Sequence, residues 1–207
     1  MKVLNLYAGI GGNRKLWENV EVTAVEMNPE IAKIYQEFFP DDKVVVGDAH
    51  QYLLDHYQEF DFIWASPPCP SHSRMRLLCH QQEGKKDKYP DMKLYEEIIF
   101  LKHFFKGKWC IENVISYYDP LIKPFKVGNH YYWSNFHILN QKEDKRMIIR
   151  MKGAEIVKDK SKRFDYDLTT KEVPTRLKVK MLNNAVEPKT GLHIFNCAFK
   201  TKQQTLL

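Results

Sequence analysis

The sequence predicts an α/β fold, a mostly parallel sheet with flanking crossover helices. Three observations carry that expectation. Strand-like and helix-like segments alternate through the first half of the chain at the spacing of strand–helix–strand units. The strand-like segments are short apolar runs closed by glycine, an acid or proline. Five residues able to do chemistry, Gly9, Glu26, Asp48, Cys69 and Glu112, fall at or just past the ends of predicted strands. In parallel sheets that edge is where ligands bind.

Residues 2–8 form an apolar strand running into glycines, and 13–19 read as the start of a helix. Residues 22–26 make a second strand, ending on Glu26. Residues 29–39 carry proline in the first turn and apolar residues at helical spacing. A third strand, 44–47, stops before Asp48, and 51–57 form a helix. A fourth strand, 61–66, is stopped by Pro67 and Pro68. The long helix 92–105 places Leu94, Ile98, Leu101 and Phe105 on one face, and 109–114 form a fifth strand. Between 140 and 172 the pattern dissolves into the charged runs QKEDKR, KDKSKRFD and TTKE, which read as an exposed hairpin or loop region. Helical spacing returns over 176–199, around an NNAVEP break.

Composition bounds the function. A hydrophobic fraction of 43% over 207 residues supports one real core. A formal charge of +6 favours a polyanionic partner. The four cysteines, at 69, 79, 110 and 197, form no CxxC pair and read as free thiols in a reducing compartment. The start MKVLNLYAGIGG turns glycine-rich too soon for a signal peptide, and no apolar run suits a membrane span. A cytoplasmic protein without a membrane partner is the expectation.

Three motifs carry chemistry. In the first, Tyr7-Ala8-Gly9-Ile10-Gly11-Gly12, glycines at a strand-to-helix turn let the backbone approach a ligand. Glu26 at the next strand end suits a ribose diol, and Asp48 at the third suits an exocyclic amine of adenine. Together they favour a cofactor that contains a nucleoside. In the second, Ser66-Pro67-Pro68-Cys69-Pro70-Ser71-His72-Ser73, prolines hold a cysteine rigidly at the sheet edge, where a thiol can react. In the third, Glu112-Asn113-Val114, a carboxyl closes an apolar strand next to that of Cys69 and can assist covalent addition as an acid. A zinc set of Cys69, His72, Cys79 and His80 has irregular spacing, so no metal is expected.

These residues, in this order, resemble the cytosine-5 DNA methyltransferase family. YAGIGG resembles its first motif, PPC its proline-cysteine motif and ENV its glutamate motif. Leu94-Tyr95 resembles the short motif lining the cofactor's methionine side, and Asn183-Asn184-Ala185-Val186 the late motif that completes the cofactor pocket. The resemblance covers roughly 1–136 and 174–199. It implies a Rossmann-like S-adenosylmethionine-dependent methyltransferase fold with a late antiparallel strand pair. The implied division is a catalytic domain over 1–139, a short basic recognition or loop region over 140–172, and a segment over 173–207 that completes the catalytic domain.

The implied nucleophile is Cys69 and the implied acid Glu112, flanked by Pro68 and Asn113. S-adenosylmethionine would be held by Tyr7, Ala8, Gly9, Gly11, Gly12, Glu26, Met27, Asp48, Ala49, Pro67, Leu94, Asn184 and Ala185. Double-stranded DNA is the implied partner, with the target base flipped out. Ser71, Ser73, Arg74, Arg76, Lys85, Lys86, Lys145, Arg146 and Arg163 are the candidate DNA contacts. Three departures stand out. Gly128 and His130 occupy the positions of an arginine pair, and His130 is the candidate substitute. Pro70 stands where the family has glutamine. The region before the late motif is short, so a protein partner could supply sequence specificity.

Rival readings stay open at this point. SPPC is also close to the motif of exocyclic-amino methyltransferases, an RNA target shares the same core, and a non-catalytic DNA-binding or regulatory subunit would tolerate the missing arginines. A prokaryotic or phage source, with a role in restriction–modification among others, fits the small build.

Overall fold

The computed structural model describes residues 1–74, 89–140 and 152–199. Its centre is a seven-stranded sheet in the order β3-β2-β1-β4-β5-β7-β6. The strands are β1 (Lys2–Leu6), β2 (Glu21–Glu26), β3 (Lys43–Val46), β4 (Phe62–Ala65), β5 (Lys108–Val114), β6 (Phe125–Val127) and β7 (His130–Ser134). β1 to β5 run parallel, whereas β7 pairs antiparallel with both β5 and β6. The predicted parallel sheet and late antiparallel pair are both present.

Parallel strands buried on both faces must be apolar throughout, and β4 (FIWA) is wholly buried. Alternation then sorts the side chains between the faces. Leu4, Leu6, Ile63, Ala65 and Ile111 face one core, which also holds Leu53, Leu94, Ile98, Leu101 and Phe105. Val3, Val22, Phe62, Trp64 and Cys110 face the other, with Trp17, Ile194 and Phe195.

The helices are α1 (Pro29–Phe38), α2 (Ala49–His56), α3 (Lys93–Phe104), α4 (Gly153–Phe164), α5 (Thr175–Asn184) and α6 (Pro188–Phe199), with a 3-10 turn at Tyr57–Glu59. Asn28 caps α1, its Oδ1 accepting from the N–H of Glu30 and Ile31 at 2.9 and 3.2 Å. Asp48 caps α2 in the same way, accepting from His50 and Gln51 at 2.8 and 3.2 Å. α3 buries the predicted face of Leu94, Ile98 and Leu101.

Two expectations are corrected. Residues 13–19 form no helix; the backbone makes successive turns, Gly11 to Ala8, Arg14 to Gly11 and Trp17 to Arg14. Tertiary contacts claim each side chain. Asn13 donates to Asn5 at 2.8 Å, Arg14 pairs with Asp42 at 3.0 Å, and Trp17 stacks on Phe195 with ring centroids 5.0 Å apart. The second correction concerns 140–172, read as an exposed hairpin or loop. It contains helix α4, whose Val157, Ser161 and Phe164 are buried at one-turn and two-turn spacing. Val157, Phe164, Tyr166 and Leu168 pack with Ile10, Ile31, Ile34, Met181 and Leu182. Among the described residues, no helix is long and apolar enough to cross a membrane.

Candidate active site

Register places the site. Leu6 pairs with Val25 and Ala65, and Ala65 pairs with Ile111, so these parallel strands end level. The next residues, Tyr7, Glu26, Ser66 and Glu112, form one row at the carboxyl edge. Cys69 follows Ser66-Pro67-Pro68 and is half-buried.

Asn113 ties the end of β5 to that cysteine turn. It is buried, its Nδ2 donates to the Pro67 carbonyl at 3.0 Å, and its Oδ1 accepts from the Val114 N–H at 2.9 Å. Past Cys69 the chain turns at once, because the Cys69 carbonyl accepts from the N–H of His72 and of Ser73 at 3.0 and 3.1 Å. Ser73 forms a bridge with Ser116, and the His72 carbonyl accepts from the Tyr117 N–H at 3.0 Å. Thus the Cys69–Ser73 turn is fastened to the segment after β5.

Glu112 is 8% exposed, and burial raises its carboxyl above the usual range. His130 and a hydrogen bond from Ser66 work against that shift. The Ser66 hydroxyl accepts from the Trp64 indole N–H at 2.9 Å, which leaves its own proton for Glu112. His130 opens β7, and its Nε2 lies 3.7 Å from Glu112 Oε1. The Cys69 thiol is also raised, first by burial and then by the Glu112 charge. A thiol and a carboxyl, both raised by burial, therefore stand at one sheet edge.

The candidate cofactor residues gather beside them. Tyr7, Met27, Asp48, Pro67, Pro68 and Leu94 line one cavity, joined by His72, Asp91 and Lys93. Glu26 is pinned by the backbone, Oε2 accepting from Gly9 at 3.0 Å and Oε1 from Asn28 at 2.9 Å. The glycines divide by role. A Cβ on Gly11 would stand 2.4 Å from the Phe39 ring, and one on Gly12 would stand 2.3 Å from the Val186 carbonyl. Those two serve packing. A Cβ on Gly9 would meet nothing within 4 Å, although its φ of +55° favours glycine. The same contacts bring Ala185 and Val186 against Gly12, so the late motif closes on the first. Ala8 and Ala49 are buried, and Asn184 is exposed at the end of α5.

Several residues that the sequence left without a role belong to this site. The Tyr7 hydroxyl donates to Glu97 Oε1 at 2.5 Å, and His50 Nδ1 lies 3.0 Å from the same oxygen. Glu97 is fully buried, and burial raises its carboxyl. Tyr166 donates to the Gly11 carbonyl at 2.8 Å, so the segment after α4 braces the glycine turn. Glu97 follows Leu94 by one helical turn, which was the only signal available for it. For Tyr166 there was none.

The candidate DNA contacts scatter. Ser71 is buried and its hydroxyl accepts from the Asp91 N–H at 3.1 Å. Arg163 holds Glu187 with two hydrogen bonds, at 3.1 and 2.8 Å. Arg74 is exposed beside Ser73. Arg76, Lys85, Lys86, Lys145 and Arg146 lie outside the described residues. Gly128 takes a φ of +57° in the β6–β7 turn, which suits glycine there. Among the described residues no group of three or more His, Cys, Asp or Glu is arranged to hold a metal.

The family model for C-5 cytosine-specific DNA methylases matches residues 1–120. The chain belongs to this family. That match spans the glycine turn, Glu26, Asp48, Cys69 and Glu112, the residues that converge on the sheet edge. No curated protein matches the chain. Among solved structures, the Entamoeba histolytica methyltransferase EhMeth is 13% identical, with a TM-score of 0.53 over 96% of this chain and 98% of that one. That likeness shows the methyltransferase fold. DNMT2 of Spodoptera frugiperda is 25% identical with a TM-score of 0.38, and the match covers 55% of this chain. This chain spans about a third of that one's length, 35%.

Proposed function

We propose that this methylase transfers a methyl group from S-adenosylmethionine to carbon 5 of cytosine in double-stranded DNA. The observation that carries the reading is the pair Cys69 and Glu112, held at one sheet edge beside the cavity of Tyr7, Asp48 and Leu94. The cavity's residues fit the cofactor. Glu26 would take the ribose hydroxyls, Asp48 the adenine amine, Tyr7 and Met27 the adenine faces, Leu94 the methionine side, and Gly9 leaves open room over its backbone. When bound, S-adenosylmethionine supplies the electrophilic methyl group that carbon 5 takes.

The chain's own groups prepare carbon 5. The Cys69 thiolate forms a bond to carbon 6 of the flipped base, and the electron pair of the 5,6 double bond moves toward carbon 5 and ring nitrogen 3. Protonated Glu112 donates to nitrogen 3 and stabilises that charge. Ser66 and His130 orient the carboxyl, and Asn113 holds the cysteine turn at its distance from β5. After methyl transfer, loss of the carbon 5 proton restores the double bond and expels Cys69.

The test is incubation with methyl-labelled cofactor and mixed-sequence DNA, followed by product analysis and bisulfite mapping. Label in 5-methylcytosine, lost in Cys69→Ala, supports the reading. A covalent complex with DNA containing 5-fluorocytosine is expected from the unaltered protein. Label in 4-methylcytosine, in 6-methyladenine or in RNA alone would overturn it, as would no adduct.

A further inference from the structure

The cavity at the sheet edge has Asp48, Asp91 and Lys93 in its wall. His72 is there too, but it is buried, and burial lowers its imidazole, so it adds no charge near neutral pH. Among the described residues of this wall, Lys93 is therefore the cation.

Lys93 and Asp91 are placed differently from Asp48. Asp48 is spent on the start of α2, accepting from His50 and Gln51. Asp91 stands just before α3. Its Oδ1 accepts from the Lys93 N–H at 3.1 Å, and its own N–H donates to the Ser71 hydroxyl at 3.1 Å. Those bonds fix the residue and leave Oδ2 for another donor. Lys93 opens α3 and is exposed, so its ammonium is accessible. It lies one turn before Glu97 on the same helical face, and Glu97 accepts from Tyr7, another residue of the wall. Both charges are felt at this place. Asp91 acts on Tyr7 and His72, and Lys93 acts on Glu97. Among the described residues neither group forms an ion pair.

S-adenosylmethionine ends in an amino acid, a carboxylate beside an ammonium. Wherever along the cavity that end lies, its carboxylate has one partner of opposite charge among these residues, Lys93. With Asp48 read as the partner of the adenine amine, Asp91 is the acid left for the ammonium. We infer that Lys93 and Asp91 bind the amino-acid end of the cofactor, Lys93 its carboxylate and Asp91 its amino group. The inference rests on the cofactor reading above and extends it to the end of the molecule that the glycine turn, Glu26 and Asp48 do not cover.

Calorimetry on the full chain tests it, comparing S-adenosylhomocysteine with 5′-methylthioadenosine, which lacks the amino-acid tail. Lys93→Met is expected to weaken S-adenosylhomocysteine by about tenfold, the worth of one charge-assisted hydrogen bond, and to leave 5′-methylthioadenosine unchanged. Asp91→Asn is expected to do the same; its amide oxygen can still accept from the Lys93 N–H, so the start of α3 is kept. Added salt should narrow the difference between the unaltered protein and Lys93→Met. Unchanged S-adenosylhomocysteine affinity in either variant would overturn the inference, and so would an equal loss of both ligands. The unaltered protein needs no substitution to give a further reading: equal affinity for the two ligands would overturn the inference as well. Its failure to bind either ligand would instead count against the cofactor reading itself.

Discussion

Cys69 and Glu112 share one sheet edge. Burial raises both, and the Glu112 charge raises Cys69 further. The reactive state, thiolate with protonated carboxyl, has the same proton count as thiol with carboxylate. That count prevails between the two pKa values. Activity is therefore expected to rise with pH through the raised Glu112 pKa and to fall through the raised Cys69 pKa. Both limbs of kcat/KM lie above the ordinary carboxyl and thiol positions. Glu112→Gln is expected to lose about 10²–10³-fold in kcat and to leave a single rise through the thiol pKa; steady-state methyl transfer across pH checks both. Glu97 gives a stability counterpart. Its raised carboxyl stabilises the fold fully below the unfolded-state pKa, and that stability is lost as pH rises through the folded-state value. Glu97→Gln should flatten the fall of Tm with pH over that window. The glycines separate in the same manner. Gly9→Ala is expected to weaken S-adenosylhomocysteine binding, because its Cβ enters the open space over the turn, and to lower Tm through the strain of a φ of +55°. Gly12→Ala is expected to lower Tm, because its Cβ meets the Val186 carbonyl.

At the scale of elements, period and capping made most of the fold legible. Proline in the first turn of α1, the apolar face of α3 and the apolar runs of β1, β4 and β5 are local signals, and each element formed within a residue or two of its expected bounds. Residues 13–19 and α4 were not legible, for opposite reasons. In the first, helix-compatible side chains are held by distant partners, Asn5, Asp42 and Phe195. In the second, three buried positions sit among three lysines, an arginine, an aspartate and a glutamate, so charge masked the spacing. Phe164 is the test of that helix. It is 4% exposed in the cluster with Ile10 and Ile31, and Phe164→Ala should destabilise by about 3–5 kcal/mol in chemical denaturation.

Across the whole molecule, the sheet brings five chain-distant residues to one edge and α4 closes behind the first of them. The segment between β7 and α5, where a reader of DNA sequence was expected, also braces the glycine turn through Tyr166. Deleting 153–168 should therefore abolish S-adenosylhomocysteine binding and cooperative unfolding together. Loss of DNA sequence preference alone, with binding intact, would contradict that prediction; calorimetry and thermal melting measure the two. The sequence by itself determined the parallel order of strands and helices, and the chemistry at their ends. Both are written in nearest-neighbour pattern, since residues past strand ends share one edge whenever parallel strands end level. Only the tertiary structure decided which groups touch. Asn113 on Pro67, Ser66 and His130 on Glu112, Glu97 behind Tyr7 and Tyr118 on His72 join residues far apart in the chain. Hydrogen bonds need angstrom-scale placement, and packing of the two faces of the sheet supplies it.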